Sequence, residues 1–166
     1  KDKNLLLEGS IICKNCNTNY PVIEGVIDLD ICNIKTFRRM RTIKETSYSR
    51  YWDESDKLMI KAETSFTEKK LMQNLSREIR DKVVIDIGCG DGRYVEMLSS
   101  LQPSALIFID KSNGIKLVAK KLANHKVNSI CIKADFNNLP IKENVCDTVI
   151  AVGAINFFCN QEVICI

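Results

Sequence analysis

A carboxylate and three glycines, Asp86, Gly88, Gly90 and Gly92, occupy alternate positions in the run Val83-Val-Ile-Asp-Ile-Gly-Cys-Gly-Asp-Gly-Arg-Tyr94. Glycines bare the backbone and tolerate positive φ, so a loop of this kind can approach a polar ligand closely. The acid narrows the choice of ligand, because it would repel a pyrophosphate but favour a cationic group, directly or through water. The dinucleotide fingerprint Gly-x-Gly-x-x-Gly also needs a third glycine where this chain has Arg93. The chemistry on offer is backbone recognition of a nucleotide-like ligand that carries positive charge.

Such a loop needs a strand before it and a helix after it. Val83, Val84, Ile85 and Ile87 form a near-continuous β-branched run, as expected of a central parallel strand covered on both faces. Arg93 to Leu98 reads as the first turns of a helix whose N-terminus faces the ligand. The alternation then repeats. Ala105-Leu-Ile-Phe-Ile-Asp110 is a second apolar strand ending in an acid, at about the distance from the first at which an acid holds ribose hydroxyls. Residues 111–124 read as a helix, with Ile115, Val118, Ala119 and Leu122 on one face. Ser129-Ile-Cys-Ile-Lys-Ala134 is a third strand leading into Asp135 and Phe136, and Cys146-Asp-Thr-Val-Ile-Ala-Val152 a fourth. Strands alternating with helices predict an α/β fold with a parallel sheet.

Taken in order, these segments resemble the motifs of the class I S-adenosylmethionine (SAM)-dependent methyltransferases, with Leu139-Pro140-Ile141 and Asp147 completing the succession and Cys146 standing where an aromatic residue is commoner. The resemblance implies a Rossmann-like sheet. It places Asp86, Gly88, Gly90 and Gly92 about the methionine end of SAM, Asp110 at the ribose and Asp135 with Phe136 at the adenine, and counts Cys89 and Lys111 among the cofactor-binding residues. It implies no universal catalytic residue, so none is assigned; Asn156 is the candidate for a substrate contact. The family's sheet has seven strands, whereas this chain ends at Ile166. The reading is therefore a domain incomplete after about its fourth strand, in the order 3-2-1-4, with the fourth strand as an apolar edge open to self-association.

Residues 10–29 look like a different module. The Cys13-Lys-Asn-Cys16 knuckle and the Tyr20-Pro-Val-Ile-Glu-Gly25-Val run resemble the zinc ribbon of the methyltransferase activator family. That resemblance implies Zn2+ at Cys13 and Cys16, in an incomplete site, since structural zinc wants four ligands and Cys32 is badly spaced for a second knuckle. The organisation expected is a β-rich zinc-ribbon-like segment over 1–32, a helical linker or lid over 33–80, and a SAM-binding domain over 81–166. Within the linker, Lys35, Arg38, Arg39, Arg41 and Lys44 form a basic cluster that reads as a solvated face or an RNA contact. Tyr48, Tyr51 and Trp52 read as packing over the cofactor pocket or against the domain, and Ser65-Phe-Thr-Glu68 is a capping box opening a helix. His125 reads as a solvent-exposed helix end.

The chain has 166 residues, 45% of them hydrophobic, enough for one domain and an appendage, and a net charge of +3 that by itself does not imply nucleic acid. No run is long enough to span a membrane. Cys89, Cys131 and Cys146, among eight cysteines, fall in the loop or on core strands, which implies reduced thiols and a cytoplasmic setting. The function expected is methyl transfer from SAM to a small-molecule or RNA acceptor. The alternatives are a non-catalytic binding or activator module carrying a zinc ribbon, and an NAD-dependent oxidoreductase, the latter disfavoured by Arg93 and Asp86.

Overall fold

The computed structural model describes residues 7–29, 70, 74–135, 139 and 141–154. Phe136, Asn156, Cys32, the basic cluster, the tyrosine–tryptophan group and the capping box lie outside the described residues. The strands are β1 (Gly9–Ile12), β2 (Asn19–Ile23), β3 (Val26–Asp28), β4 (Val83–Ile87), β5 (Ala105–Asp110), β6 (Ser129–Lys133) and β7 (Thr148–Ile150). The helices are α1 (Ser76–Ile79), α2 (Val95–Ser100) and α3 (Ile115–Leu122). All seven strands share one sheet, in the order β1-β2-β3-β6-β5-β4-β7. The four strands read from the sequence thus lie in the expected order, β6-β5-β4-β7, all parallel.

Strand pairing sorts their side chains onto two faces. On one face Val26, Cys131, Phe108, Asp86 and Ile150 stand in a single row across five strands. Helices α1, α2 and α3 cover this face through Ile79, Val95, Leu98, Ile115, Val118 and Leu122, all buried. Burying six such side chains contributes roughly 1.5–3 kcal/mol each against leaving them in water. On the other face Ile27, Ile132, Ile109 and Ile87 form a row, next to Ile130, Ile107, Ile85 and Val149. Among the described residues no helical side chain joins this second cluster, and Leu139, Ile141, Cys146 and Ala151 pack on it instead.

The helices are shorter than the periodicity suggests. α3 begins at Ile115 because Asp110, Ser112 and Gly114 are first used in a turn described below, and α2 begins at Val95 after a turn through residues 91–94. Asp147 pins the start of β7: its Oδ2 accepts from the Val83 amide at 2.8 Å, and its own amide donates to the Val83 carbonyl at 2.9 Å. It lies at the opposite end of β4 from the glycine loop. His125 is half-buried rather than fully exposed, facing Glu96 at 3.1 Å across α2 and α3.

The N-terminal hairpin extends the same sheet. β3 runs parallel to β6, with Val26 opposite Cys131 and Asp28 opposite Lys133. The Leu29 amide continues the ladder to the Lys133 carbonyl at 2.9 Å, and ion pairs join Glu24 to Lys116 (3.2 Å) and Asp28 to Lys133 (4.0 Å). The hairpin thereby covers the backbone of β6, which would otherwise be an open edge. Among the described residues β7 forms the opposite edge of the sheet, with Val149 39% exposed.

Candidate functional site

The glycine loop leaves the carboxyl end of β4. Gly88, Gly90 and Gly92 have φ of 69°, 56° and 80°, a left-handed conformation that side chains disfavour. Space makes the same demand at two of them. A Cβ on Gly88 would lie 2.5 Å from the Ala154 Cβ, and one on Gly92 would lie 2.8 Å from Val95 and 2.9 Å from Val118. Gly92→Ala is therefore expected to destabilise the fold by about 2–4 kcal/mol, combining left-handed strain with overpacking. Chemical denaturation measures it, and an unchanged midpoint would show that the loop lies elsewhere.

Asp86 is 2% exposed, between Phe108 and Ile150 in its row, and its Oδ2 has no hydrogen-bond partner among the described residues. Desolvation, with repulsion from Asp110, pushes its carboxyl up to about 8. At neutral pH it is a mostly neutral acid held under a loop of bare backbone. The buried Cys89 thiol is pushed up as well, first by desolvation and then by the two carboxylates.

Asp110 ends β5 and joins two loops. Its Oδ2 accepts from the Gly90 amide at 2.8 Å and its Oδ1 from the Ser112 amide at 2.7 Å, both in buried surroundings. The Ser112 hydroxyl in turn accepts from the Gly114 amide at 3.2 Å, which brings the chain round into α3. A Cβ on Gly114 would lie 2.8 Å from the Gly90 carbonyl oxygen, so glycine there lets the two loops touch. Beside this clasp, Lys111 and Asp135 face each other at 3.8 Å, each about half exposed. Asp86, the three glycines, Cys89, Asp110, Lys111 and Asp135 are thus gathered at the carboxyl ends of β4, β5 and β6.

Ser112, Gly114 and Lys121, whose Nζ donates to the Asp91 carbonyl, belong to this arrangement but are not singled out by sequence pattern. The Asn113-Gly114 pair is a turn signal that marks the second loop. Nothing in the sequence points from Lys121 to the glycine loop.

Cys13 and Cys16 lie in the turn after β1. The Cys13 amide donates to the Thr18 carbonyl and its carbonyl accepts from the Asn17 amide, both at 2.8 Å. The exposed Cys16 thiol donates to the Thr18 hydroxyl at 3.0 Å, and hydrogen bonding, chiefly from Thr18, lowers its pKa. Among the described residues no group of three or more His, Cys, Asp or Glu side chains is placed to hold a metal ion.

Residues 84–165 match the sequence family described as methyltransferase domain. This stretch is similar to methyltransferase domains. Its matched segment opens one residue into β4 and takes in the whole glycine loop, Asp110 and Asp135. The chain is also similar to solved structures: a SAM-dependent methyltransferase from Aquifex aeolicus (18% identity, TM-score 0.49, 57% of this chain and 52% of that one); phosphoethanolamine N-methyltransferase 1 of Haemonchus contortus (22%, 0.43, 63% and 24%); and a Haloferax volcanii complex containing the Trm112 methyltransferase activator (15%, 0.47, 71% and 52%). The chain thus spans about half, or less, of the length of these structures. No curated relative matches the sequence significantly. Among the described residues no helix is long and apolar enough to cross a membrane.

Proposed function

We propose that this stretch is a methyltransferase domain that binds SAM at the carboxyl ends of β4, β5 and β6 and serves methyl transfer to a small-molecule or RNA acceptor. The observation that carries the reading is the Asp110 clasp. It joins the glycine loop to the strand-end acid in one site, as a ligand with a polar tail and a ribose requires. A carboxylate has about four acceptor positions, and backbone amides take two, leaving each Asp110 oxygen free to accept a ribose hydroxyl. The unpartnered Asp86 oxygen fits a ligand with a cationic end, and the glycine cradle fits backbone recognition of it. Asp135, with Phe136, would flank the adenine, with Lys111 beside Asp135; Cys89 would lie beneath the loop.

Bound there, SAM would supply an electrophilic methyl group on a sulfonium. The chain's part is to fix the donor's orientation and to exclude water, for which packed backbone and two acids suffice without a general base. The acceptor would be chosen by residues after β7, with Asn156 the candidate contact. In this reading residues 1–32 are an N-terminal unit whose Cys13 and Cys16 are two of the ligands of a Zn2+ site, residues 33–80 a linker or lid, and the setting cytoplasmic.

Titration calorimetry with S-adenosylhomocysteine (SAH) and, separately, NAD tests the proposal. SAH is expected to bind one-to-one in the micromolar range, at about −8 kcal/mol, and NAD not at all. Heat from NAD alone, or from neither, would overturn it.

A further inference from the structure

Three glycines at alternate positions give the loop freedom that something must remove before its amides can face a ligand. Asp110 holds it at the Gly90 amide. Further along the same run it meets Lys121, on the last turn of α3. Its Nζ donates to the Asp91 carbonyl at 2.8 Å and to the Gly92 carbonyl at 3.3 Å, and lies 3.9 Å from the Asp91 carboxylate. The helix presses on the same point, since Val118 fills the space beside Gly92. Lys121 is 39% exposed, so the ammonium keeps part of its hydration while its remaining donors are spent on two consecutive carbonyls.

The geometry assigns Lys121 as a positioning residue: by gripping the carbonyls of Asp91 and Gly92 it fixes the tilt of the neighbouring peptides and hence the direction of the loop's amides. This assignment rests on the proposed SAM site and deepens it. Asp110 orders the loop through the Gly90 amide and Lys121 through the Asp91 and Gly92 carbonyls, so the two residues grip one peptide run at two points. A hydrophobic side chain at 121 would leave α3 packed through Ile115, Val118 and Leu122, all fully or almost fully buried, while releasing the loop. Arginine can still donate to carbonyls from the same turn of helix.

The test pairs a ligand-free readout with a ligand-dependent one. In Lys121→Met, amide hydrogen exchange at residues 90–93 is expected to quicken by about tenfold or more without ligand, about the effect of one charge-assisted hydrogen bond, while β4 and β5 keep their protection. SAH affinity is expected to fall about tenfold, adenosine affinity to change less than about twofold, and Lys121→Arg to recover most of the loss. Unchanged exchange in residues 90–93 would overturn the grip itself, whatever the protein binds. Equal loss of SAH and adenosine affinity would reduce Lys121 to general support and also overturn the assignment. Absence of SAH binding by the unsubstituted protein would overturn the SAM site, and with it the assigned purpose of the grip; the exchange result would still show whether the grip exists.

Discussion

Asp110→Ala is expected to cost about 3–5 kcal/mol of stability and to lower SAH affinity more than about a hundredfold. Both effects follow from one carboxylate. It is the acceptor for the Gly90 and Ser112 amides in a buried setting, and each amide left without a partner costs about 1–3 kcal/mol. The same substitution removes the proposed ribose ligand and frees the glycine loop. Asp110→Asn separates the two roles. Its single carbonyl oxygen can serve one amide, while its NH2 faces the other donor, so a loss smaller than that of alanine is expected. Denaturant unfolding and calorimetry measure the pair. Alanine with wild-type stability would remove the clasp, and asparagine with wild-type SAH affinity would remove the ribose assignment.

Asp86 makes both stability and binding depend on pH. Its carboxyl titrates at about 8 in the folded chain against 3.8 for an aspartate in water, chiefly because burial disfavours the anion. An acid whose pKa is raised by folding binds more protons in the folded state than in the unfolded one. Its stabilising contribution is complete below about pH 4, declines as pH rises and is gone above about pH 8. At roughly 1.4 kcal/mol per pH unit of separation, the change across that window amounts to several kcal/mol. Asp86→Asn keeps a neutral group in place and should flatten the decline, which thermal unfolding from about pH 5 to about pH 8 will reveal. Parallel slopes for the two proteins would sink the assignment.

Ligand binding should run the other way. A ligand with an ammonium group favours the charged acid, so below about pH 8 its capture expels a proton, and SAH affinity should rise by up to tenfold per unit between about pH 6 and about pH 8. The same titrations repeated in buffers of different ionisation heat count the proton. Repulsion from Asp110 works against the ionised form, and the Cys89 thiol, pushed well up first by desolvation and then by both acids, stays uncharged throughout.

The parallel strands and their order were legible because the strands are short apolar runs and helix-period segments follow the first two of them, β4 and β5. The site was legible where a residue type carries its own chemistry: an acid at the end of an apolar strand, or glycine after glycine. Three features were hidden for separate reasons. The contact of Lys121 with the loop joins residues distant in sequence, and a lysine near a helix end otherwise reads as solvated. The clasp depends on backbone amides, which every residue possesses and no pattern marks. The docking of the hairpin escaped because its residues read as a strand-turn-strand unit complete in itself, whereas Val26 and Ile27 find parallel partners on β6.

That pairing has a consequence for how the chain folds. β4, β5 and β6 are joined by short βα connections, so their contacts close small loops, while Val26 opposite Cys131 closes a loop through most of the described protein. Closure entropy rises with the length enclosed, and contacts of high sequence separation are slow to form. The first strands made are therefore the last to join the sheet. Until they do, β6 is a bare template that any extended segment of suitable register can occupy.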